Sequence, residues 1–556
     1  MQQAISSPLI DSSTSARERA LEILTVAVVL AVALGAYGIL FDRANVLSYS
    51  IGYNLYASER VLEGAVPYRD FHTLYPPETY YLNAALFKWL GVSLYAALVG
   101  VLAFKVLTVL LVYLSGRQLM PRSWALMSAL SSLLWLRPNG PFKSVPMHYG
   151  ALFLALAMYL LLKHEKRQKL LFVFLAGAAL GVVALFKHNI GAYALSASVV
   201  LFIFEGGGRR LLILLIGFAT PVAPSLVYMQ TKGALAPMIR TLLFGPGEFL
   251  LSRLAIPLSP LAPVVFVAAL GGCAYAAHKL RRHKAVATSL WLILIAAISG
   301  FVLRGNQADI NQIIFYLPML LLACGLVIAI FKKGLAAAER RALLIVFSFA
   351  AAALMELFPR LAREQSIAAM PFVTLFLFYL LYVMRPSIRA LADGKTQYQL
   401  ALAVLPLTFL LIEGRLFFNT YFVGGLRFKA DTQLTVERGR NVFFPAATAA
   451  LIDDVVNYVR QRVPPGGYAF AQSDAGTAFL FLSNRGNVSN AQFWIGVGVT
   501  QEEREATLER IDNSQTKLII TSDEVLAAEK YEPMRDYIDR NFKLGTRFDD
   551  VLILER

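Results

Sequence analysis

The stretch "GAVPYRDFHTLYPPETYY", from Gly64 to Tyr81, places a dense group of polar side chains between two long apolar runs. Carboxylates beside histidine, arginine and tyrosine are residue types that can exchange protons or bind polar ligands. Any one of these residues, taken alone, is equally compatible with a solvated loop. The candidates for a site in this stretch are Tyr68, Arg69, Asp70, His72 and Glu78.

Other isolated charges lie at the ends of apolar runs on what we predict to be the same membrane face. A charge at the end of a membrane span can be a simple anchor that reaches the headgroup region. Several bases converging on one acidic loop would instead form a pocket for an anion at the level of the lipid headgroups. These charges are Lys187, His188, Arg304, Asp309 and Arg360, with Arg240, Glu248 and Arg253 in one loop.

The composition indicates that a polytopic helical membrane protein positions these residues. The 556 residues are 57% hydrophobic and 16% charged, with a mean hydropathy of +0.58, whereas soluble domains are about 25% charged. The polar tail 1–19 precedes a first run that is too long for a cleaved signal peptide. About thirteen spans are predicted at 20–41, 93–115, 121–136, 149–163, 168–186, 190–205, 209–229, 260–279, 286–303, 312–331, 338–357, 366–384 and 398–414.

The distribution of charge predicts the orientation of the spans. One set of alternate connections is short and rich in Lys and Arg, as in "KHEKRQK" and "HKLRRHK", which predicts a cytoplasmic location for it and for the N-terminus. From Arg415 onward the chain carries 17 bases and 19 acids. The excess of positive charge therefore belongs to the membrane region 20–414, where it indicates topology and lipid contact and argues against a nucleic-acid-binding surface.

The outer loop 42–92 is predicted to contain two interfacial helices. "GYNLYASERVLEG" has the pattern of an amphipathic surface helix that ends at Gly64. A second helix begins near Pro77, with Glu78 in its first turn. Because Pro67 and the Pro76-Pro77 pair prevent helix continuation, we expect an extended segment between these helices.

The sequence pattern of region 415–556 differs from that of the membrane region and predicts an outer α/β domain. "AATAALIDDVVNYVRQRV" and "YEPMRDYIDRNF" have helical periodicity. "GYAFAQ", "TKLIITS" and "DDVLILE" are strand-like runs. The alternation of helices and strands favours a small α/β domain, and the region contains no Gly-rich phosphate loop or nucleophile elbow, so we expect a gating or structural module.

Several of these motifs, in this order, resemble those of the bacterial GT-C membrane glycosyltransferases. These enzymes depend on polyprenyl-phosphate sugars and are related to aminoarabinose transferase and the protein O-mannosyltransferases. The similar segments are "YNLYASERVLEGAVPYRDFHTLYPPETYYLNAALFKWLG", "ALGVVALFKHNIG", "LFPRLAREQSIAAMP" and "FLFLSNRGNVSNAQFWIGVG". Each motif is short, and the resemblance is spread over most of the chain.

The resemblance implies transfer of a sugar from a polyprenyl phosphate, with inversion, to a lipid, glycan or protein acceptor at the outer face of the bacterial inner membrane. A carboxylate must then activate the acceptor hydroxyl, and cations must stabilise the phosphate leaving group. The expected base is Asp70, then Glu78, then Asp42. We expect no metal or other cofactor. Lys187, Arg360, Arg304 and His188 are expected to bind the donor phosphate, and Arg69, His72, Tyr68 and Asp42 to contact the acceptor or the loop.

The chain departs from the family pattern at positions that bear on catalysis. Many relatives have an acidic pair where this chain has Ser50-Ile51, and aminoarabinose transferase has a lysine where this chain has Tyr75. An Asp and a His of the family pattern are Ala362 and Gln365 here. These departures keep two alternatives open: a catalytically inactive lipid-binding relative, and a transporter or flippase.

Overall fold

The computed structural model describes residues 15–44, 47, 49–135, 145–244, 261–357, 368–418, 429–472, 475–491, 501–528 and 531–556. Within these ranges the chain forms a bundle of apolar helices followed by a mixed α/β region. Arg360, Ala362 and Gln365 lie outside the described residues, as do the side chains of Ser50, Ile51 and Asp309 and the loop residues Glu248 and Arg253.

Every stretch predicted to be a span is helical over most of its length. Eight helices of the described chain are long and apolar enough to cross a membrane, and Leu170–Phe186, His188–Phe204 and Val264–Lys279 are shorter apolar helices. The helices of the bundle are α1 Ala16–Gly38, α2 Tyr49–Leu62, α3 Glu78–Leu90, α4 Leu94–Leu119, α5 Arg122–Trp135, α6 Val145–Arg167, α7 Leu170–Phe186, α8 His188–Phe204, α9 Gly208–Thr231, α10 Leu235–Phe244, α11 Leu261–Lys279, α12 Lys284–Arg304, α13 Gln307–Phe331, α14 Ala337–Leu354, α15 Met370–Leu391 and α16 Lys395–Phe418.

Close helix packing fixes α7 and α9 beside each other. A Cβ atom on Gly177 would lie 2.1 Å from the carbonyl oxygen of Leu214, and one on Gly217 would lie 2.1 Å from that of Phe174. Only glycine permits such an approach of two helix backbones, which is a common device in membrane bundles. The contact places the C-terminal half of α9 close to the outer loop.

Two helices, α2 and α3, occur where the sequence predicted interfacial helices. Residues 52–59 of α2 are all buried, because α2 packs between α3 and the later helix Gly476–Ser483, so α2 does not have the exposed polar face of a surface helix. The segment between α2 and α3 is not extended throughout. Residues 66–71 form a hydrogen-bonded loop in which the Tyr68 amide donates to the Phe71 carbonyl at 2.8 Å. Tyr68 has a φ of 66°, a left-handed conformation that is uncommon outside glycine. The prediction of extended backbone is therefore wrong for residues 66–71.

The C-terminal region contains a five-stranded sheet with the order β4-β3-β5-β7-β6, in which β3 is parallel to β4 and β5, and β7 is antiparallel to β5 and β6. The three predicted strand runs are β3, β5 and β7, and the two predicted helices are α17 and α21. The elements are β1 Ala430–Gln433, β2 Phe443–Pro445, α17 Ala446–Arg462, β3 Tyr468–Ala471, α18 Gly476–Ser483, β4 Gly486–Asn487, α19 Gln501–Asn513, β5 Leu518–Thr521, α20 Asp523–Ala528, α21 Glu532–Asn541, β6 Lys543–Phe548 and β7 Val551–Glu555.

This α/β region packs on α2 through polar and apolar contacts. Arg438 forms a two-pronged ion pair with Glu59, and it also donates to the Phe481 carbonyl at 2.7 Å. The Asn487 amide donates to the Tyr56 hydroxyl at 2.5 Å. We call the end of the bundle that carries α2, α3 and this region the outer end, and the opposite end the inner end.

Loss of the Arg438 guanidinium is expected to loosen this contact. The Arg438→Ala change leaves Glu59 buried without its partner, since the two side chains are only 14% and 10% exposed, and such losses cost about 3–5 kcal/mol. Limited proteolysis should then cut the α/β region at much lower protease concentration than in the wild type.

The matched control is Arg540→Ala, which removes an exposed pair with Asp536 worth little to stability. Protease resistance equal to that of the wild type in Arg438→Ala would show that the ion pair does not hold the two parts together.

Candidate functional site

A break between α7 and α8 positions Lys187 at the outer end of the bundle. Lys187 is the residue between the two helices, with φ −149° and ψ 88°. The corner is tight, because a Cβ atom on Gly191 would lie 2.5 Å from the Ala184 Cα atom. The start of α8 therefore lies beside the lysine, and helix N-termini favour anions.

Lys187 is the centre of a buried polar group that we call the Lys187 cluster, consisting of Lys187, Asn189, Glu356 and Tyr75. The Lys187 Nζ atom lies 2.9 Å from Glu356 Oε1, and the Asn189 amide donates to Glu356 Oε2 at 2.7 Å. The lysine and glutamate side chains are 13% and 4% exposed. Buried charges of this kind are stable only when they are paired and hydrogen-bonded.

Tyr75 connects the cluster to the outer loop. The Lys187 Nζ atom lies 4.6 Å from the centre of the Tyr75 ring, a cation–π distance. The Tyr75 ring also stacks on the ring of Tyr53 of α2, with the two ring centres 6.2 Å apart. The Tyr68 hydroxyl donates to the Tyr75 carbonyl at 2.5 Å. The position where aminoarabinose transferase has a lysine is thus occupied by an aromatic ring that contacts a different lysine.

An apolar groove begins beside the Lys187 cluster and runs between α8, α13 and α14. Met355, which lines its outer end, directly precedes Glu356, and Tyr193 at the same end interacts electrostatically with Lys187. The groove has a volume of about 770 Å³. Its apolar lining includes Ala197, Val200, Leu201, Phe204, Leu326, Ile330, Leu344, Phe347, Ala351 and Ala352.

Glu78 lies at the first turn of α3, three residues after Tyr75, so the two Cα atoms are at most about 11 Å apart. Its Oε1 atom accepts a hydrogen bond from the Ser225 hydroxyl of α9, and no other side chain among the described residues donates to its buried Oε2 atom. Burial raises the pKa of Glu78 from 4.5 to about 7. A buried carboxyl that titrates near neutral pH is suited to accept a proton.

Asp70 has a different environment from Glu78. Arg69 donates to both of its carboxylate oxygens at 2.8 and 2.7 Å, and the Val66 amide donates to it at 2.7 Å. The hydrogen bonds from Arg69 lower the pKa of Asp70. These contacts close the loop at residues 66–70 and make Asp70 a weaker proton acceptor than Glu78.

His72 and Asp42 lie where the loop meets the α/β region. The His72 amide donates to the Asn490 carbonyl at 2.9 Å, and burial lowers the pKa of the His72 imidazole. The Asp42 carbonyl accepts from the Phe443 amide at 2.7 Å, and burial raises the pKa of its carboxyl group. Both residues thus join the loop to the α/β region.

The expected phosphate-binding residues divide into two groups. His188 begins α8 directly after Lys187 and interacts electrostatically with Glu356. Arg304 is exposed at the end of α12, a helix that packs mainly on α11 and α16. Arg360 is outside the described residues. Of this set, the structure therefore brings together Lys187 and His188.

Sequence reasoning missed three residues of the site: Glu356, Asn189 and Ser225. Glu356 precedes the "LFPR" motif, and Asn189 lies within "KHN". Both residues therefore lie in or next to segments that resemble the family motifs. Ser225 is an ordinary residue in a long apolar helix, and only the packing of α9 beside α3 identifies it. Among the described residues, no group of three His, Cys, Asp or Glu side chains could hold a metal, and metal independence stays a prediction.

Comparison with known proteins relates these features to one class of membrane protein. Residues 75–228 match the family model of the dolichyl-phosphate-mannose-protein mannosyltransferases. No curated protein matches the chain. The match includes Tyr75, Glu78, Lys187 and Ser225.

Two solved structures, with TM-scores above 0.5, show the same fold. The oligosaccharyltransferase of Archaeoglobus fulgidus tethered to an acceptor peptide superimposes with a TM-score of 0.52 at 12% identity, over 95% of this chain and 72% of that one. Its apo form gives 0.51 at 13% identity, over 94% and 73%. ArnT from Cupriavidus metallidurans, bound to undecaprenyl phosphate, gives 0.46 at 13% identity, over 96% and 98%. The predicted resemblance and the predicted fold class, a polytopic helical protein with a C-terminal α/β region, are confirmed.

Proposed function

We propose that this chain, which has the fold of the GT-C glycosyltransferases, moves a sugar from a polyprenyl-phosphate donor to an acceptor hydroxyl group at the outer face of a membrane. The observation that carries the proposal is the apolar groove whose outer end, at Tyr193 and Met355, lies next to the buried Lys187 cluster. A long apolar tail attached to a single anionic group is the ligand that such an arrangement fits. The orientation, with the outer end in the periplasm of a bacterium, belongs to the same proposal.

Lys187 is the group that binds the donor phosphate. An ammonium has three hydrogen-bond donors, and Glu356 takes one of them. The other donors and the start of α8 can stabilise the negative charge that develops on the phosphate as the sugar leaves. Glu356 and Asn189 hold the ammonium in position, and His188 is a second contact for the phosphate.

Glu78 is the proton acceptor in this mechanism. The acceptor hydroxyl oxygen forms a bond to the anomeric carbon while the bond from that carbon to the phosphate oxygen breaks. The hydroxyl proton passes to Glu78, and the electron pair of the broken bond leaves on the polyprenyl phosphate. Attack from the side opposite the phosphate inverts the anomeric centre. Ser225 orients the carboxylate through the hydrogen bond to its Oε1 atom.

The proposal is tested with the purified full-length chain in lipid nanodiscs. Synthetic polyprenyl-phosphate hexoses and pentoses are supplied together with an envelope extract as the source of acceptor. Release of free polyprenyl phosphate and labelling of the extract, followed by mass spectrometry, are the expected results. Binding of polyprenyl phosphate without transfer from any donor would favour the inactive lipid-binding alternative, and substrate flux across liposomes would favour a transporter.

The Asp70→Asn variant separates the two candidate bases. Since Arg69 and the Val66 amide already occupy the Asp70 carboxylate, we expect this variant to keep activity within about tenfold of the wild type, whereas loss of a general base typically costs 10²–10⁴-fold. Initial rates of polyprenyl phosphate release are the measurement. A loss of more than a hundredfold in a folded Asp70→Asn protein would assign the base to Asp70 instead.

A further inference from the structure

A polar cavity of about 480 Å³ lies at the inner end of the bundle and adjoins the apolar groove. Its lining residues are Glu165, Gln168, Glu205, Arg210 and Arg341, and Glu205 and Arg341 also line the groove. The cavity and the groove therefore lie side by side, and we call them together the inner-end space, which is polar at the inner end and apolar toward the Lys187 cluster.

The charged residues of this space leave one positive charge uncompensated. Arg341 pairs with Glu165 at 2.8 Å, and Arg210 pairs with Glu205 at 2.8 Å. Arg340 lines the groove at the same level. In the part of the chain that the structure describes, Arg340 donates only to the backbone carbonyls of Ile330 and Lys332, at 3.2 and 3.3 Å. Three arginines facing two glutamates give a net charge of +1.

We propose that this inner-end space binds one anionic phospholipid, with its phosphate at Arg340 and Arg341 and an acyl chain in the groove. A phosphodiester carries one negative charge, which matches the uncompensated guanidinium. Basic pockets between membrane helices on the cytoplasmic side commonly bind lipid headgroups. The apolar lining next to the arginines supplies the surface that an acyl chain needs and that free phosphate does not use.

The headgroup position at Arg340 and Arg341 is separate from the Lys187 cluster at the outer end, and binding of a phospholipid there does not depend on the proposed transfer reaction. One consequence does rest on the proposed function. A prenyl tail that enters from the Lys187 cluster and an acyl chain that enters from the inner end would use the same groove, so the two ligands would exclude each other.

Native mass spectrometry of the full-length protein with dioleoyl phosphatidylglycerol or phosphatidylcholine tests the site directly. We expect one phosphatidylglycerol molecule to be retained at concentrations at which phosphatidylcholine is lost. Arg340→Gln should weaken retention about fivefold, the factor expected for one basic residue at a lipid headgroup. Arg340→Lys should retain the lipid. Arg389→Gln, which removes an exposed arginine of the inner end outside the groove, is the matched control.

Val200→Trp provides a second variant that leaves every charge in place. Val200 is 48% exposed and lines the groove, so the larger ring fills the groove with little effect on the core, and lipid retention should fall. Equal retention of both lipids by the wild type, or unchanged retention in both Arg340→Gln and Val200→Trp, would overturn the proposal. Undecaprenyl phosphate should displace the phospholipid. Continued retention of the phospholipid would contradict a shared groove, but it would not contradict the transfer reaction, which the polyprenyl phosphate release assay tests separately.

Discussion

Replacement of Lys187 by methionine is expected to abolish sugar transfer, with a loss of at least about a hundredfold, the scale seen when one group that stabilises a developing charge is removed. The lysine is a buried cation next to the outer end of the groove, and methionine has a similar length without the charge. Release of polyprenyl phosphate from the donor is the measurement. Lys88→Met, a change at an exposed lysine of α3, is the matched control and should keep wild-type activity.

The effect of Lys187 on catalysis must be separated from its effect on stability. The single change leaves Glu356 buried without its ion pair, which costs about 3–5 kcal/mol. In the Lys187→Met, Glu356→Gln double variant no buried charge remains uncompensated, so thermal stability should return close to that of the wild type. Activity should remain lost in the double variant. Wild-type activity in this well-folded protein would exclude Lys187 from phosphate binding.

The Glu78→Gln change is expected to lower transfer by 10²–10⁴-fold, the usual contribution of a general base. Since burial raises the pKa of Glu78 to about 7, wild-type activity should rise about tenfold between pH 6 and pH 8 as the carboxyl group ionises. Initial rates over this range are the measurement. Glu63→Gln, a change at an exposed carboxylate of the same loop, should retain both the rate and its pH dependence.

The same substitution is expected to stabilise the protein at high pH. Below pH 4.5 the carboxyl group is protonated in the folded and unfolded states and contributes no difference. Between pH 4.5 and about 7 only the unfolded state ionises, so this group lowers wild-type stability as pH rises, by roughly 3 kcal/mol in total. Glu78→Gln should therefore unfold at a higher temperature than the wild type at pH 8, with little difference at pH 4.5.

These two readouts together distinguish a catalytic carboxylate from a structural one. A structural Glu78 would give a Glu78→Gln protein whose rate follows its folded fraction. A catalytic Glu78 gives a more stable protein at pH 8 with lower activity. A pH-independent wild-type rate between pH 6 and pH 8 would count against Glu78 as the base.

Much of the architecture was accessible from the sequence because apolar run length and charge alternation are local properties. The stretches predicted as spans are helical, and α2, α3 and the three C-terminal strand runs occur where the periodicity placed them. Lys187 and His188 were predicted as candidates because a charge at the end of an apolar run is conspicuous. Prolines predicted the interruption between α2 and α3, although not the closed loop at residues 66–71.

Only the tertiary structure decided which of the polar residues meet. Glu356 follows Lys187 by more than 150 residues, and the helix break at Lys187 and the end of α14 bring the two side chains to 2.9 Å. The environments of Asp70 and Glu78 also depend on folding, since an adjacent arginine holds one carboxylate and the packing of α9 buries the other. Residue type and spacing determined which groups were available, and helix packing determined their partners and their proton affinity.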